Sequence, residues 1–129
     1  MFVALLLLPL PALAQWATIT SPVNVRAGPS HQFPVVTWLS TGTRVTVVGC
    51  TSGWRWCDIS WGRRRGWVNS RYLGGFRPGG RTPIVRFSVD DYWNAHYRSS
   101  AWYSSRSQWN GWGQPSFRPP PPPPGRRHW

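Results

Sequence analysis

VNVRAGPSHQFPVVTWLSTGTRVTVVGCTSGWRWCDISWGRRRGWVNSRYL, residues Val23 to Leu73, is the stretch that decides the fold. Val23 and Val25 fall on one side of a strand, with Asn24 and Arg26 on the other. Ala27-Gly28-Pro29-Ser30 is a loop by composition. Val35 to Leu39 reads as a further strand, Thr41-Gly42 as a turn, and Thr43 to Val48 as the next strand. There Val45 and Val47 alternate with Arg44, Thr46 and Val48, the period of a sheet with one buried face. Trp54 to Trp61 makes another strand. Gly62 to Gly66 places Arg63, Arg64 and Arg65 at a hairpin tip in water, Gly66 to Val68 is the last strand, and Ser70 to Leu73 a terminal turn. Gln15 to Ser21 suits a first strand, broken by Pro22. Five or six short strands separated by frequent turns predict an all-β fold, a small barrel.

The pieces VNVRAGPS, the TGT turn into alternating valines, SGWRW and the closing GWV-x-x-x-YL, in this order, resemble the bacterial Src homology-3 family. That resemblance implies an SH3-like β-barrel of the kind found on secreted and cell-envelope proteins. It also implies a binding module whose ligand lies in a groove between the long first loop, the hairpin tips and the terminal turn. The candidate ligand-binding residues are Asn24, Arg26, His31 and Phe33, then Trp54, Trp56, Trp61, Arg63, Arg64, Arg65 and Tyr72. Tryptophan faces stack on sugar rings, and guanidinium forks grip carboxylates or phosphates. Trp61, beside the arginine tip, is expected to be the most exposed aromatic. Alternation puts Trp54 and Trp56 on one face of their strand and Arg55 and Cys57 on the other.

Five segments are expected: a signal peptide over 1–14, the barrel over 15–73, and a Gly/Pro linker over 74–87. A short aromatic helical segment follows over 88–112, then a disordered polyproline and basic tail over 113–129. Phe2 to Leu13 is apolar and ends in Ala12-Leu13-Ala14, a secretory cleavage pattern too short to cross a bilayer. Export to the periplasm or cell envelope follows. Ser88 is read as the cap of a helix to Tyr97, with Asp91 three residues on. Val89, Tyr92, Trp93, His96 and Tyr97 form its aromatic face.

Cys50 and Cys57 flank a hairpin turn near Ser52 and Gly53, and an exported protein keeps disulfides. Turns of two or four residues would set them diagonally, about 7–8 Å apart, unless a bulge or shifted turn closed the gap. His31, His96 and His128 are too scattered for a metal, and no cofactor is expected. All fifteen basic residues are arginine, against Asp58, Asp90 and Asp91, a net charge of +12. Such a charge attracts anionic polymers. An export signal and the lack of a nucleic-acid motif argue against nucleic acid, leaving peptidoglycan or another anionic envelope polymer. Without glutamate, and with Asp90 and Asp91 in one helix turn, the chain offers no carboxylate pair for glycan hydrolysis. It reads as a non-enzymatic binding protein. An alternative is an envelope assembly module that meets a protein partner through the aromatic helix and polyproline tail.

Overall fold

Seven strands form one antiparallel sheet in the computed structural model, which describes residues 15–121. They are β1 (Gln15–Ile19), β2 (Val23–Arg26), β3 (Val35–Leu39), β4 (Arg44–Cys50), β5 (Trp56–Trp61), β6 (Arg64–Asn69) and β7 (Leu73–Gly74). Their spatial order is β3-β2-β6-β5-β4-β1-β7. The expected leader lies outside the described residues, as does the expected tail beyond residue 121. The strand count exceeds the expected five or six because β7 returns to pair with β1 at Leu73 and Gly74.

Alternation fixes which face is inside. Val45 and Val47 in β4, Val23 and Val25 in β2, and Ala17 and Ile19 in β1 all point into one aliphatic core. Leu39, Ile59, Val68, Leu73 and both cysteines complete it. Leu39 and Leu73 come from opposite edge strands of the sheet yet share this cluster. Fully burying a valine, leucine or isoleucine stabilises by roughly 1.5–3 kcal/mol, and this core has nine of them without polar atoms to satisfy.

Cys50 and Cys57 form a disulfide. The diagonal placement expected from the turn is wrong. Thr51 N–H donates to Trp56 O across the turn, so Cys50 and Cys57 are the next pair and face each other directly, with Cα atoms 4.0 Å apart. The register shifts only beyond them, between Val47 and Gly49, the irregularity a bulge produces. Strand β5 also begins two residues later than expected. Trp54 sits in the turn with φ of 62°, so alternation does not reach it.

The stretch from Gly75 to Phe87, whose composition reads as a linker, is held along the sheet. The Gln15 side chain donates to the carbonyl of Arg77 and to the Thr82 hydroxyl, both at 2.9 Å. Cys50 N–H donates to Pro83 O, and Val85 N–H to Cys50 O, a one-residue parallel bridge at the end of β4. Gly49 makes room for it: a Cβ there would overlap the Val85 side chain.

Helix α1 (Val89–His96) starts where capping chemistry puts it, with the Ser88 hydroxyl accepting from Asp91 N–H at 3.3 Å. Asp90 and Asp91 lie at its positive end. A stretch of 3-10 helix (Tyr103–Trp109) follows. Together they bury a second, aromatic core of Phe33, Trp93, Tyr97, Trp102 and Trp109 against the first loop and the outer face of β6. Phe33 stacks on Trp109 with centroids 4.5 Å apart. Trp67, 1% exposed, lies edge-on to Phe87 at 5.5 Å. Trp93 and Tyr97 of the helix's aromatic face are thus buried against the chain's own fold, Val89 and Tyr92 are half-buried, and His96 stays exposed.

Polar contacts set the helix's position. Trp93 Nε1–H donates to Ala27 O at 2.9 Å, and Tyr97 O–H to Arg65 O at 2.7 Å. Tyr92 O–H donates to Asp58 Oδ1 at 2.7 Å. Asp58 is also gripped by Arg65 through two bonds, Nε–H to Oδ1 at 3.1 Å and Nη2–H to Oδ2 at 2.5 Å. Arg65 therefore does not belong to the solvated tip. It turns inward to the one buried carboxylate, and that hydrogen-bonded pairing holds its guanidinium even more firmly charged.

Candidate functional site

The first loop, the β4–β5 turn and the short 3-10 turn Ser70–Tyr72 meet around a cleft of about 550 Å³. Its walls include His31, Trp54, Arg55, Trp56, Asn69 and Arg71. Backbone and ring contacts fix these walls. Ser70 N–H donates to Arg55 O at 2.8 Å, joining the terminal turn to the β4–β5 turn. Asn69 Oδ1 accepts from Arg71 N–H at 3.1 Å and caps the 3-10 turn. His31 meets the Trp56 ring edge-on at 5.0 Å.

Trp54 is the one non-glycine residue with positive φ among those described. A bulky side chain in the left-handed region costs on the order of 1–3 kcal/mol and concentrates at functional sites. The turn holds it with a Trp54 N–H to Thr51 O bond at 2.9 Å, and its ring packs towards Phe76. The disulfide closes this same turn, so one wall of the cleft is covalently framed.

The cleft is electropositive. Arg55 and Arg71 are exposed, and neither is ion-paired among the described residues. Arg71 lies over the Tyr72 ring at 5.4 Å. Burial, together with Arg26 and Arg71, lowers the His31 pKa, so the imidazole is neutral at neutral pH. Such a surface offers the half-buried Trp54 ring with guanidinium donors beside it, while Trp56, 8% exposed, backs the cleft from the core.

Of the residues expected to bind a ligand, His31, Trp54 and Trp56 come together here. Tyr72 is adjacent through Arg71. Arg26 is half-buried and donates to Phe33 O at 3.2 Å, so it shapes the first loop from below. Asn24 is exposed on β2 beside Trp38 of β3, on a different part of the surface. Phe33 is fully buried under Trp109, a position closed to a ligand. Trp61 is half-buried against the aliphatic core, with Arg64 over it at 5.7 Å. Among the described residues the most exposed aromatics are instead Trp16 and Trp38. Arg63, Arg64 and Arg65 line a separate cleft. Arg55, Asn69, Ser70 and Arg71 were not singled out in the sequence; the signal was available in Ser70-Arg71, which stand immediately before the tyrosine of the closing motif.

No group of histidine, cysteine and acidic side chains among the described residues could hold a metal ion. No described helix is long and apolar enough to cross a membrane.

Residues 21–74 match the family model of the bacterial SH3 domain, and this segment is a domain of that family. The first cleft is built wholly within it. The chain is also similar to the putative N-acetylmuramoyl-L-alanine amidase YrvJ of Bacillus subtilis (strain 168), at 40% identity over 53 residues. Those residues are 41% of this chain and 10% of that protein, and they fall in the SH3 region. The similarity therefore carries no catalytic domain with it. No solved structure matches the chain significantly.

Proposed function

We propose that this chain is an exported, non-enzymatic binding module that recognises peptidoglycan, or another anionic polymer of the cell envelope, through the first cleft. The observation that carries the reading is the pairing of Trp54, backed by the buried Trp56, with the uncompensated Arg55 and Arg71 around one groove. An indole face suits a sugar ring, and guanidinium forks suit the carboxylates of stem peptides. The similarity to a putative N-acetylmuramoyl-L-alanine amidase supports a wall polymer as the ligand. The disulfide and the secretory pattern over residues 1–14 support export. We also take the sheet to curl into a closed barrel, because side chains from both of its edge strands share one aliphatic core.

Retention of the full chain on purified sacculi, followed across a salt series, tests this. Nonspecific attraction of a +12 chain fades as the screening length shrinks from about 10 Å at 0.1 M to about 3 Å at 1 M salt. The cleft predicts a component that survives, and that the double variant Trp54→Ala/Arg71→Ala loses. Retention of that variant equal to the parent's would refute the assignment.

A further inference from the structure

A second basic cleft, of about 330 Å³, opens at the seam between the β5–β6 hairpin and the C-terminal extension. Arg63, Arg64 and Arg65 line one side; His96, Ser100 and Trp102 line the other. Residues 96–102 lie outside the segment that matches the bacterial SH3 family, so the cleft exists only because this chain's extension docks.

We propose that this cleft is a binding site for a phosphate ester, distinct from the wall-polymer cleft. Its electrostatics are one-sided. No acidic residue lines it. Arg65 is neutralised by Asp58, whereas Arg63 and Arg64 are exposed and without an ion pair among the described residues. Two guanidinium charges thus remain for a ligand. The carbonyl end of α1 also faces this region and would repel an anion with about half an elementary charge. That end is covered: Arg98 Nε–H donates to Asn94 O and Tyr97 N–H to Trp93 O, each at 2.8 Å. The net field favours an anion.

Geometry selects among anions. The arginines that line it come from the hairpin, while His96 and Ser100 come from the C-terminal extension. A planar carboxylate is satisfied by one fork from one side. A tetrahedral phosphate presents acceptor oxygens in several directions and can use donors from both walls. Trp102, 5% exposed, has an indole N–H without a partner among the described residues, and its ring gives the cleft an apolar floor for the alcohol part of an ester.

The test uses the full chain and glycerol 3-phosphate, with acetate as the carboxylate control, followed by NMR or calorimetry at fixed ionic strength. The parent binds glycerol 3-phosphate, and Arg63→Ala/Arg64→Ala weakens it at least tenfold. The charge-matched control Arg77→Ala/Arg81→Ala, at exposed positions far along the chain, leaves it within about twofold. Equal losses in the two double variants would reduce the effect to net charge and overturn the site. So would acetate binding as tightly as the phosphate, or no saturable binding at all. A vesicle arm separates the sources of the phosphate. Phosphatidylglycerol vesicles retaining the parent but not Arg63→Ala/Arg64→Ala, in moderate salt, place the ester on a lipid headgroup; retention of neither, with the soluble ester still bound, places it on a soluble or polymeric phosphate. Trp54→Ala/Arg71→Ala keeps glycerol 3-phosphate binding, so failure of the wall-polymer reading and failure of this one are separable.

Discussion

The aliphatic core inside the sheet and the aromatic core outside it solve the same problem with different chemistry. Inside, valines, leucines and isoleucines at period two fill a space that the strands alone define. Outside, Phe33, Trp93, Trp102 and Trp109 glue a helix and a 3-10 segment to a loop and to the back of β6. A domain of about 55 residues buries only about 60% of its unfolded surface and is marginal. The aromatic layer adds a second buried surface and covers Trp67, which would otherwise lie open on the sheet. The comparison implies that the extension is part of the folded unit and that removing its anchors costs the whole chain.

The largest expected effect is Trp93→Ala. Its ring is fully buried and its N–H bonds Ala27 O, so the loss should be about 3–5 kcal/mol by chemical denaturation. Limited proteolysis should then cleave within residues 75–117. Unfolding at the parent's midpoint would make the aromatic layer a passenger. Asp58→Ala comes next, at about 3 kcal/mol, the low end for breaking a buried pair because Arg65 keeps 28% side-chain exposure. It removes the partner of both Arg65 and Tyr92 and so loosens both cores together.

A pH effect of intermediate size falls on the aromatic side alone. Burial, helped by the nearby Tyr97 and Asp58, holds the Tyr92 hydroxyl protonated far above its ordinary range. In the unfolded chain it ionises near pH 10. Its folded pKa is raised, so its contribution is complete below about pH 10 and is lost as pH climbs above that value. The midpoint of thermal unfolding should fall above pH 10, and Tyr92→Phe should flatten that slope. Tyr97, also raised mainly by burial, leaves a residual slope. The smallest stability effect is expected at the first cleft. Trp54→Gly relieves the left-handed backbone and should change stability by no more than about 1 kcal/mol in either direction, while sacculus retention falls sharply. Retention unchanged in that variant would mean the strained tryptophan serves the turn and not a ligand.

The aliphatic core was legible because its signal is local: Val45 and Val47 betray their face whatever lies beyond the strand. The helix was legible too, since Ser88, Asp91 and the aromatic spacing report on residues within two turns. What escaped depends on long-range register. The bond from Thr51 N–H to Trp56 O fixes the turn that sets the cysteines opposite each other, and no residue type there announces that register or the bulge after Val47. Arg65 read as one of three solvated charges, although Asp58, an acid within an apolar strand, was the hint that one arginine must turn inward. Phe33 read as a rim residue because the chain that covers it arrives some 75 residues later and has no clear periodicity around Trp109. Half of the first cleft was legible for the complementary reason: Trp54 and His31 sit in loops, and Trp56 opens β5, at places whose meeting follows from the fold, whereas Arg55 and Arg71 join it through a single Ser70-to-Arg55 backbone bond.

Native-state hydrogen exchange tests the union of the two cores most directly. The Trp93 indole N–H, bonded to Ala27 O across 66 residues of sequence, and the backbone amides of β5 should show protection of the same order, because both open only when the chain unfolds. A Trp93 indole exchanging orders of magnitude faster, with β5 still protected, would contradict the account: the extension would then detach on its own, and the second cleft would exist only part of the time.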